Sequence, residues 1–218
     1  MLTENYYQKN IYSKINSFRK DTILKMIDKS KKDLLVLDVG CADGSLGAAI
    51  KKETRALVHG IDIVESQIEI ARNKLDAVFC FNIESELKNW LPQVGEKKYD
   101  YIVISEVLEH FFYPEKVLGV IKNLLAVNGE IIITVPNILF WKNRLKIFFG
   151  KFEYTSEGLM DRGHIHFFTH DSLQKILVSQ EYQIVTQNHH CPTRGTKFLS
   201  KVWPGLFAFQ FIVKVRCL

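Results

Sequence analysis

The stretch LLVLDVGCADGSLG, residues 34–47, decides the architecture. Leu34 to Gly40 is an apolar run interrupted only by Asp38, and a run of that kind ending at glycine marks a strand buried on both faces that meets a sharp turn. The residues that follow, 44–53, suit a helix. Working outward, the same couplet recurs. ALVHGIDI (56–63) reads as a second strand and ESQIEIARNKL (65–75) as its helix; AVFCFNI (77–83) is a third strand, followed by a short turn or helix near Trp90. YDYIVISEVLEH (99–110) holds a fourth strand ending near Ser105. Pro114 suits the first turn of the helix PEKVLGVIKNLLA, because its fixed φ fits and its missing N–H costs nothing there. Asn128 and Gly129 turn the chain into EIIITVP (130–136), the fifth strand. Ahead of all this, Ile11, Ile15, Phe18, Ile23, Met26 and Ile27 recur at roughly helical spacing over 11–29, an amphipathic leading helix.

Strand and helix alternating five times imply right-handed crossovers and a parallel sheet covered on both faces. Ligands on such sheets bind at the carboxyl ends of the strands, near the switch in strand order, which gathers Gly40, Asp62, Asn82, Ser105 and Pro136 on one rim. After Pro136 the pattern changes. Residues 137–168 carry an aromatic, basic segment (ILFWKNRLKIFFGKF) and a polar one, EYTSEGLMDRGHIHFF. The helix HDSLQKILVSQ follows, capped by Thr169 or Asp171, and EYQIVTQNHH and LFAFQFIVKVRC close the chain as an antiparallel pair at the sheet edge. The expectation is one α/β domain over 1–218 with seven strands, in which 137–168 forms a lid or acceptor-binding insertion.

Composition narrows the function classes. The 218 residues are 47% hydrophobic, enough for one complete core, and 24% charged, without repeats or low-complexity runs. A net charge of +5 is compatible with an anionic substrate or a membrane surface, but the basic residues form no single stripe, which argues against nucleic acid. Cys41, Cys80, Cys191 and Cys217 lie far apart, with no metal-ligand spacing; reduced thiols and no metal are expected. MLTENYYQKNIYSK has polar residues where a secretion signal needs an apolar stretch, and no segment reaches the ~18 apolar residues of a membrane span. A cytoplasmic protein, at most peripheral at a membrane surface, is expected.

The turn after the first strand constrains the ligand. A dinucleotide site needs GxGxxG with a pyrophosphate at the helix N-terminus. Here an aspartate, Asp38, stands two residues before the first glycine. That carboxylate would repel pyrophosphate and suits an ammonium group, while Asp62, ending the second strand, can accept both hydroxyls of a ribose. Together they favour an aminoacyl nucleoside without phosphates.

LDVGCADG, with Asp62 in GIDI, FNIES, YDYIVISEVLEHF and LLAVNGEIIITVPN, resembles in order the motifs of class I S-adenosylmethionine-dependent methyltransferases, in the quinone-type and glycan-type small-molecule branch. The match covers roughly 34–137. It implies a Rossmann-like class I fold and S-adenosylmethionine as cofactor, with Asp38 and Gly40 along the methionine end, Cys41 and Ala42 also among the cofactor-binding residues, and Asp62 on the ribose. Ile63 would pack on adenine, Asn82 and the Ile83 amide would meet its edge, and Ser105 and Glu106 would line the floor. Ala42 departs from the family's middle glycine, and Asn82 stands where the branch often has Asp. Asp43 reads equally as a cap of the following helix, and Glu106 as pocket wall or helix cap.

Methyl transfer needs chiefly positioning, and a hydroxyl acceptor also profits from a general base. His166 is the first candidate and His110 the second; His164, in the same segment DRGHIHFFT, shares a side with His166 if that segment is extended. Each histidine could instead tie a loop down through a backbone hydrogen bond. DRGHIHFFT resembles, less specifically, a segment of bacterial glycan and envelope methyltransferases. FWKNRLKIFFGKF reads as an amphipathic helix over the pocket, as a peripheral membrane contact through 138–152, or as a partner interface. The resemblance thus implies O-methylation of a small-molecule, sugar or lipid-linked acceptor. The alternatives are a cofactor-binding regulatory module without catalysis, and an RNA or protein methyltransferase, against which SEVLEH lacks the Asn-Pro-Pro-Tyr type of motif.

Overall fold

The computed structural model describes residues 17–85, 87–94, 97–192 and 197–218. The order of elements is α1 (Ser17–Met26), β1 (Leu35–Val39), α2 (Ser45–Thr54), β2 (Leu57–Asp62), α3 (Glu65–Ala71), β3 (Ala77–Cys80), α4 (Leu87–Val94), β4 (Tyr99–Ser105), α5 (Pro114–Ile121), β5 (Leu125–Pro136), α6 (Trp141–Phe148), α7 (His170–Ser179), β6 (Tyr182–His190), α8 (Leu199–Val202), α9 (Pro204–Phe207) and β7 (Gln210–Cys217). The leading helix is present from Ser17; its expected beginning at residue 11, and the N-terminal stretch read for a signal, lie outside the described residues. Pro114 opens α5 as expected, and Thr169 caps α7 through a reciprocal pair of bonds with Ser172.

The sheet runs in the order β3-β2-β1-β4-β5-β7-β6. The first five strands are mutually parallel, while β7 lies antiparallel to both β5 and β6. The largely apolar runs of β1, β4 and β5 follow from burial on both faces, since side chains alternate along a strand. Leu37, Val39, Ile102, Ile104, Ile131 and Ile133 pack with Trp90 of α4, Val117 and Leu118 of α5, and Leu173 and Leu177 of α7. Their neighbours Val36, Tyr101, Val103 and Ile132 pack on the other face with Ile23 of α1, Ile50 of α2 and Ile68 of α3. This is the Rossmann-like arrangement, and the strand order switches between β1 and β4, where their carboxyl ends diverge.

The described residues contain no disulfide, and no helix among them is long and apolar enough to cross a membrane. Between β5 and α7 the chain leaves the sheet as α6 and a turn-rich segment. In α6 only Asn143 is buried, holding the Ile138 carbonyl at 2.7 Å. Phe148 and Phe149 are 81% and 71% exposed.

Candidate active site

At the end of β1 the chain turns through Gly40, at φ 71°. A Cβ there would lie 2.4 Å from Cγ2 of Val107, so glycine is required by space as well as by dihedral. The Gly40 and Cys41 N–H groups both donate to the Ile61 carbonyl at the end of β2 (2.7 and 2.9 Å). Ala42, in place of the usual glycine, adopts φ 48°, and its N–H donates to Asp62 Oδ2 at 2.8 Å. Asp62 Oδ1 accepts from the Val64 N–H at 2.9 Å. Asp62 therefore braces the turn while ending β2.

Asp38 lies beneath this turn and is only 2% exposed. Among the described residues its Oδ2 is buried without a hydrogen-bond partner. Burial first, then the negative charges of Asp62 and Asp43, pushes its carboxyl up to about 7, against one backbone hydrogen bond from Gly47 that opposes the shift. A buried carboxylate in that condition is costly unless a cation or donor joins it. The site thus fits a ligand that brings an ammonium group, as the aminoacyl end of S-adenosylmethionine does. Asp43 accepts from the Ser45 N–H (3.1 Å) and pairs with Lys74 (2.7 Å), a local brace at the start of α2. Cys41 is buried with its thiol pushed far up by burial and by Asp38, so it stays protonated.

Along the rim, Ile63 follows β2 half-buried, and Ile83 is buried beyond β3. Asn82 is exposed, and its Oδ1 accepts the Glu84 N–H at 2.9 Å in a local turn. Ser105 Oγ lies 3.3 Å from Thr134 Oγ1 on the adjacent strand. Glu106 has φ 57°, accepts the Thr134 hydroxyl at 2.9 Å and faces Arg19 at 3.6 Å. It is not a helix cap, because the short 3-10 turn Leu108–His110 starts at Leu108 without a side-chain cap. Instead it links α1 to the carboxyl ends of β4 and β5.

The 3-10 turn and the loop before α7 close on each other. The Ile165 and His166 N–H groups both donate to the Glu109 carbonyl (2.9 and 3.0 Å). His110 Nδ1 bonds the Gly163 carbonyl at 2.8 Å, and His164 Nδ1 bonds the Leu159 carbonyl at 3.3 Å. The two rings meet edge to face at 4.9 Å. Burial holds both histidines below their ordinary range, His164 down to about 4 with His110 contributing to that shift. His166 takes another direction: its Nε2 bonds the Phe112 carbonyl at 3.2 Å. The segment is a turn with a bend at Ile165, not an extended strand. Side-chain alternation therefore does not apply, and His164, not His166, joins His110.

Glu109 is the residue that sequence reasoning passed over. It is fully buried, and neither carboxylate oxygen has a hydrogen-bond partner among the described residues. The only available signal was a second acid beside a histidine in SEVLEH. Val107, Thr134 and Arg19 were missed as well, since nothing local marks an apolar residue that packs on a glycine or a cation one helix away.

A family model described as a methyltransferase domain matches residues 7–187. A ubiquinone biosynthesis O-methyltransferase of Pasteurella multocida is 33% identical over 112 residues, covering 47% of this chain and 46% of that protein. The one of Neisseria meningitidis is 29% identical over 130 residues, covering 56% and 52%. The chain spans about half the length of the curated relatives it matches. Among solved structures, a SAM-dependent methyltransferase from Archaeoglobus fulgidus superposes with a TM-score of 0.65 at 20% identity, over 90% of this chain and 91% of that one. Magnesium protoporphyrin IX methyltransferase from Synechocystis PCC 6803, with bound SAH, gives 0.66 at 17% identity, over 98% and 94%. The family model spans most of the chain, the seven-stranded fold is that of these solved methyltransferases, and the chain belongs to the methyltransferase domain family.

Proposed function

We propose that the protein transfers the methyl group of S-adenosylmethionine to a hydroxyl oxygen of a small molecule, a saccharide or lipid-linked acceptor included. The observation that carries this reading is the buried Asp38 carboxylate, whose Oδ2 lacks a hydrogen-bond partner among the described residues, beneath a glycine turn, with Asp62 ending the next strand. The O-methyltransferases named above support oxygen as the acceptor atom. When bound, the cofactor supplies an electrophilic methyl group on a sulfonium. Asp38 would hold the ammonium and Asp62 the ribose hydroxyls. Gly40, Cys41 and Ala42 would shape the turn, Ile63, Asn82 and Ile83 would border the adenine, and Ser105 and Glu106 the floor.

The chain's remaining work is to orient the acceptor and take its proton. With Nε2 donating to the Phe112 carbonyl, His166 would carry its lone pair on Nδ1; His110, donating from Nδ1, would carry it on Nε2. His166 is the first candidate as base and His110 the second. Residues 137–168 would cover the acceptor. Leu145, Phe148, Phe149 and Phe152 are exposed among Lys142, Arg144, Lys146 and Lys151, a composition that suits an anionic bilayer surface from which a lipid-linked acceptor is taken.

The test is transfer of radiolabel from S-adenosyl-[methyl-³H]methionine to a panel of phenols, glycans, polyprenyl-linked hydroxyls, RNA and protein. Label in hydroxyl acceptors alone is expected. Label in RNA or protein, or cofactor binding with no transfer to any hydroxyl, would refute the assignment.

A further inference from the structure

We infer that Glu109, His110 and His164 form a binding site for a divalent transition-metal cation, of which Zn²⁺ is the natural probe. Their ligating atoms lie within 4.8 Å of one another, and His164 Nε2 stands 3.8 Å from Glu109 Oε1. Glu109 is an independent sign of a missing partner: fully buried, with both oxygens lacking a hydrogen bond among the described residues. A carboxylate buried in that way is costly unless it is paired or ligates a metal.

The histidines are arranged as ligands usually are. Both use Nδ1 on a backbone carbonyl, Gly163 for His110 and Leu159 for His164, which fixes the ring and places the lone pair on Nε2. Two imidazoles and one carboxylate favour a borderline cation such as Zn²⁺ over Mg²⁺, which prefers oxygen ligands. Zinc bonds of about 2.0–2.2 Å put tetrahedral donors about 3.3 Å apart, so closure on the metal needs side-chain shifts of roughly an ångström. The chain clamps the two halves together through the paired Ile165 and His166 amides on the Glu109 carbonyl. The sequence hides the set because its donors come from segments more than fifty positions apart.

Location gives the site a use. Val107, two residues before Glu109, is the side chain that packs on Gly40, so the cation would sit beside the rim of the cofactor turn. Three protein donors leave a position open for an oxygen ligand, and an acceptor hydroxyl held there would ionise more readily. That use rests on the methyl-transfer reading, with His166 alone as base because the cation takes the His110 lone pair; cation binding does not.

The experiment measures Zn²⁺ binding to the chelator-treated full chain by competition with a chromophoric chelator, with Co²⁺ spectra as a second readout. One cation per chain is expected, with Co²⁺ bands typical of mixed nitrogen and oxygen ligation. Glu109→Gln and His164→Ala should each weaken binding by about 100-fold, while S-adenosylhomocysteine affinity and melting temperature show that each variant is folded. No binding by the parent chain, or equal affinity in both folded variants, would overturn the site and leave the methyl-transfer reading intact. Failure to bind S-adenosylhomocysteine with Zn²⁺ still bound would do the reverse.

Discussion

Replacing Asp38 by Asn should make the ligand-free protein more stable and the cofactor complex weaker. An acid displaced from 3.8 to about 7 by burial and by neighbouring carboxylates is penalised by about 4 kcal/mol once ionised, at roughly 1.4 kcal/mol per pH unit. The sign follows from proton counting. The folded chain holds this proton more tightly than the unfolded chain, so the penalty is absent below about pH 4, grows as pH rises and is complete above about pH 7. An amide, neutral throughout, has no such slope. Urea unfolding at pH 4.5, 6 and 8 should therefore show Asp38→Asn gaining on the parent by several kcal/mol across that interval, with titrating groups that do not interact with Asp38 cancelling in the difference. The same change should weaken S-adenosylhomocysteine by ~1.5–3 kcal/mol, the scale of a hydrogen bond to a charged group. It should leave 5′-methylthioadenosine, which lacks the aminoacyl part, nearly unaffected. A stability difference that is constant with pH would refute the raised Asp38 carboxyl, and equal losses for both ligands would refute the placement of an ammonium group on it.

Three further outcomes test other parts of the site. Gly40→Ala should destabilise the fold by at least ~2 kcal/mol through overlap with Val107 and its left-handed dihedral, and Val107→Ala in the same chain should recover part of that loss; full tolerance of the single change would show that the turn relaxes freely. Ala42→Gly should raise the melting temperature, since a non-glycine residue at φ 48° costs roughly 1–2 kcal/mol; a lower one would mean that the methyl makes compensating contacts. Phe148→Ser with Phe149→Ser should weaken sedimentation with phosphatidylglycerol vesicles and leave cofactor affinity unchanged; undiminished sedimentation would remove these rings from any bilayer contact.

The alternation of strand and helix was legible because each element is written locally: apolar runs for doubly buried strands, Pro114 at a helix start, Thr169 at a cap. The same holds for the glycine turn, whose carboxylate and glycine are two positions apart. What escaped is non-local. Glu106 could be wall or cap on sequence grounds; its role as a link between Arg19 and Thr134 needs α1 laid against the rim. Alternation suggested that His164 and His166 travel together, and the bend at Ile165 separates them. Glu109 looked like one more acid before a histidine, and only the return of the 159–166 loop encloses it.

The insertion of β7 between β5 and β6 has a consequence for the order of folding. In the described sheet β6 bonds only to β7, and β5 meets β7 along seven rungs from Glu130 to Pro136. During synthesis the first five strands can assemble as they emerge, but β6 must wait for a strand made after it. Until Gln210–Cys217 arrives, Ile131, Ile133 and Val135 sit on an open edge, the kind of surface that recruits foreign strands. A ribosome stalled before residue 210 would therefore present a cofactor turn already in place beside an aggregation-prone flank. Chaperone demand should concentrate in that interval.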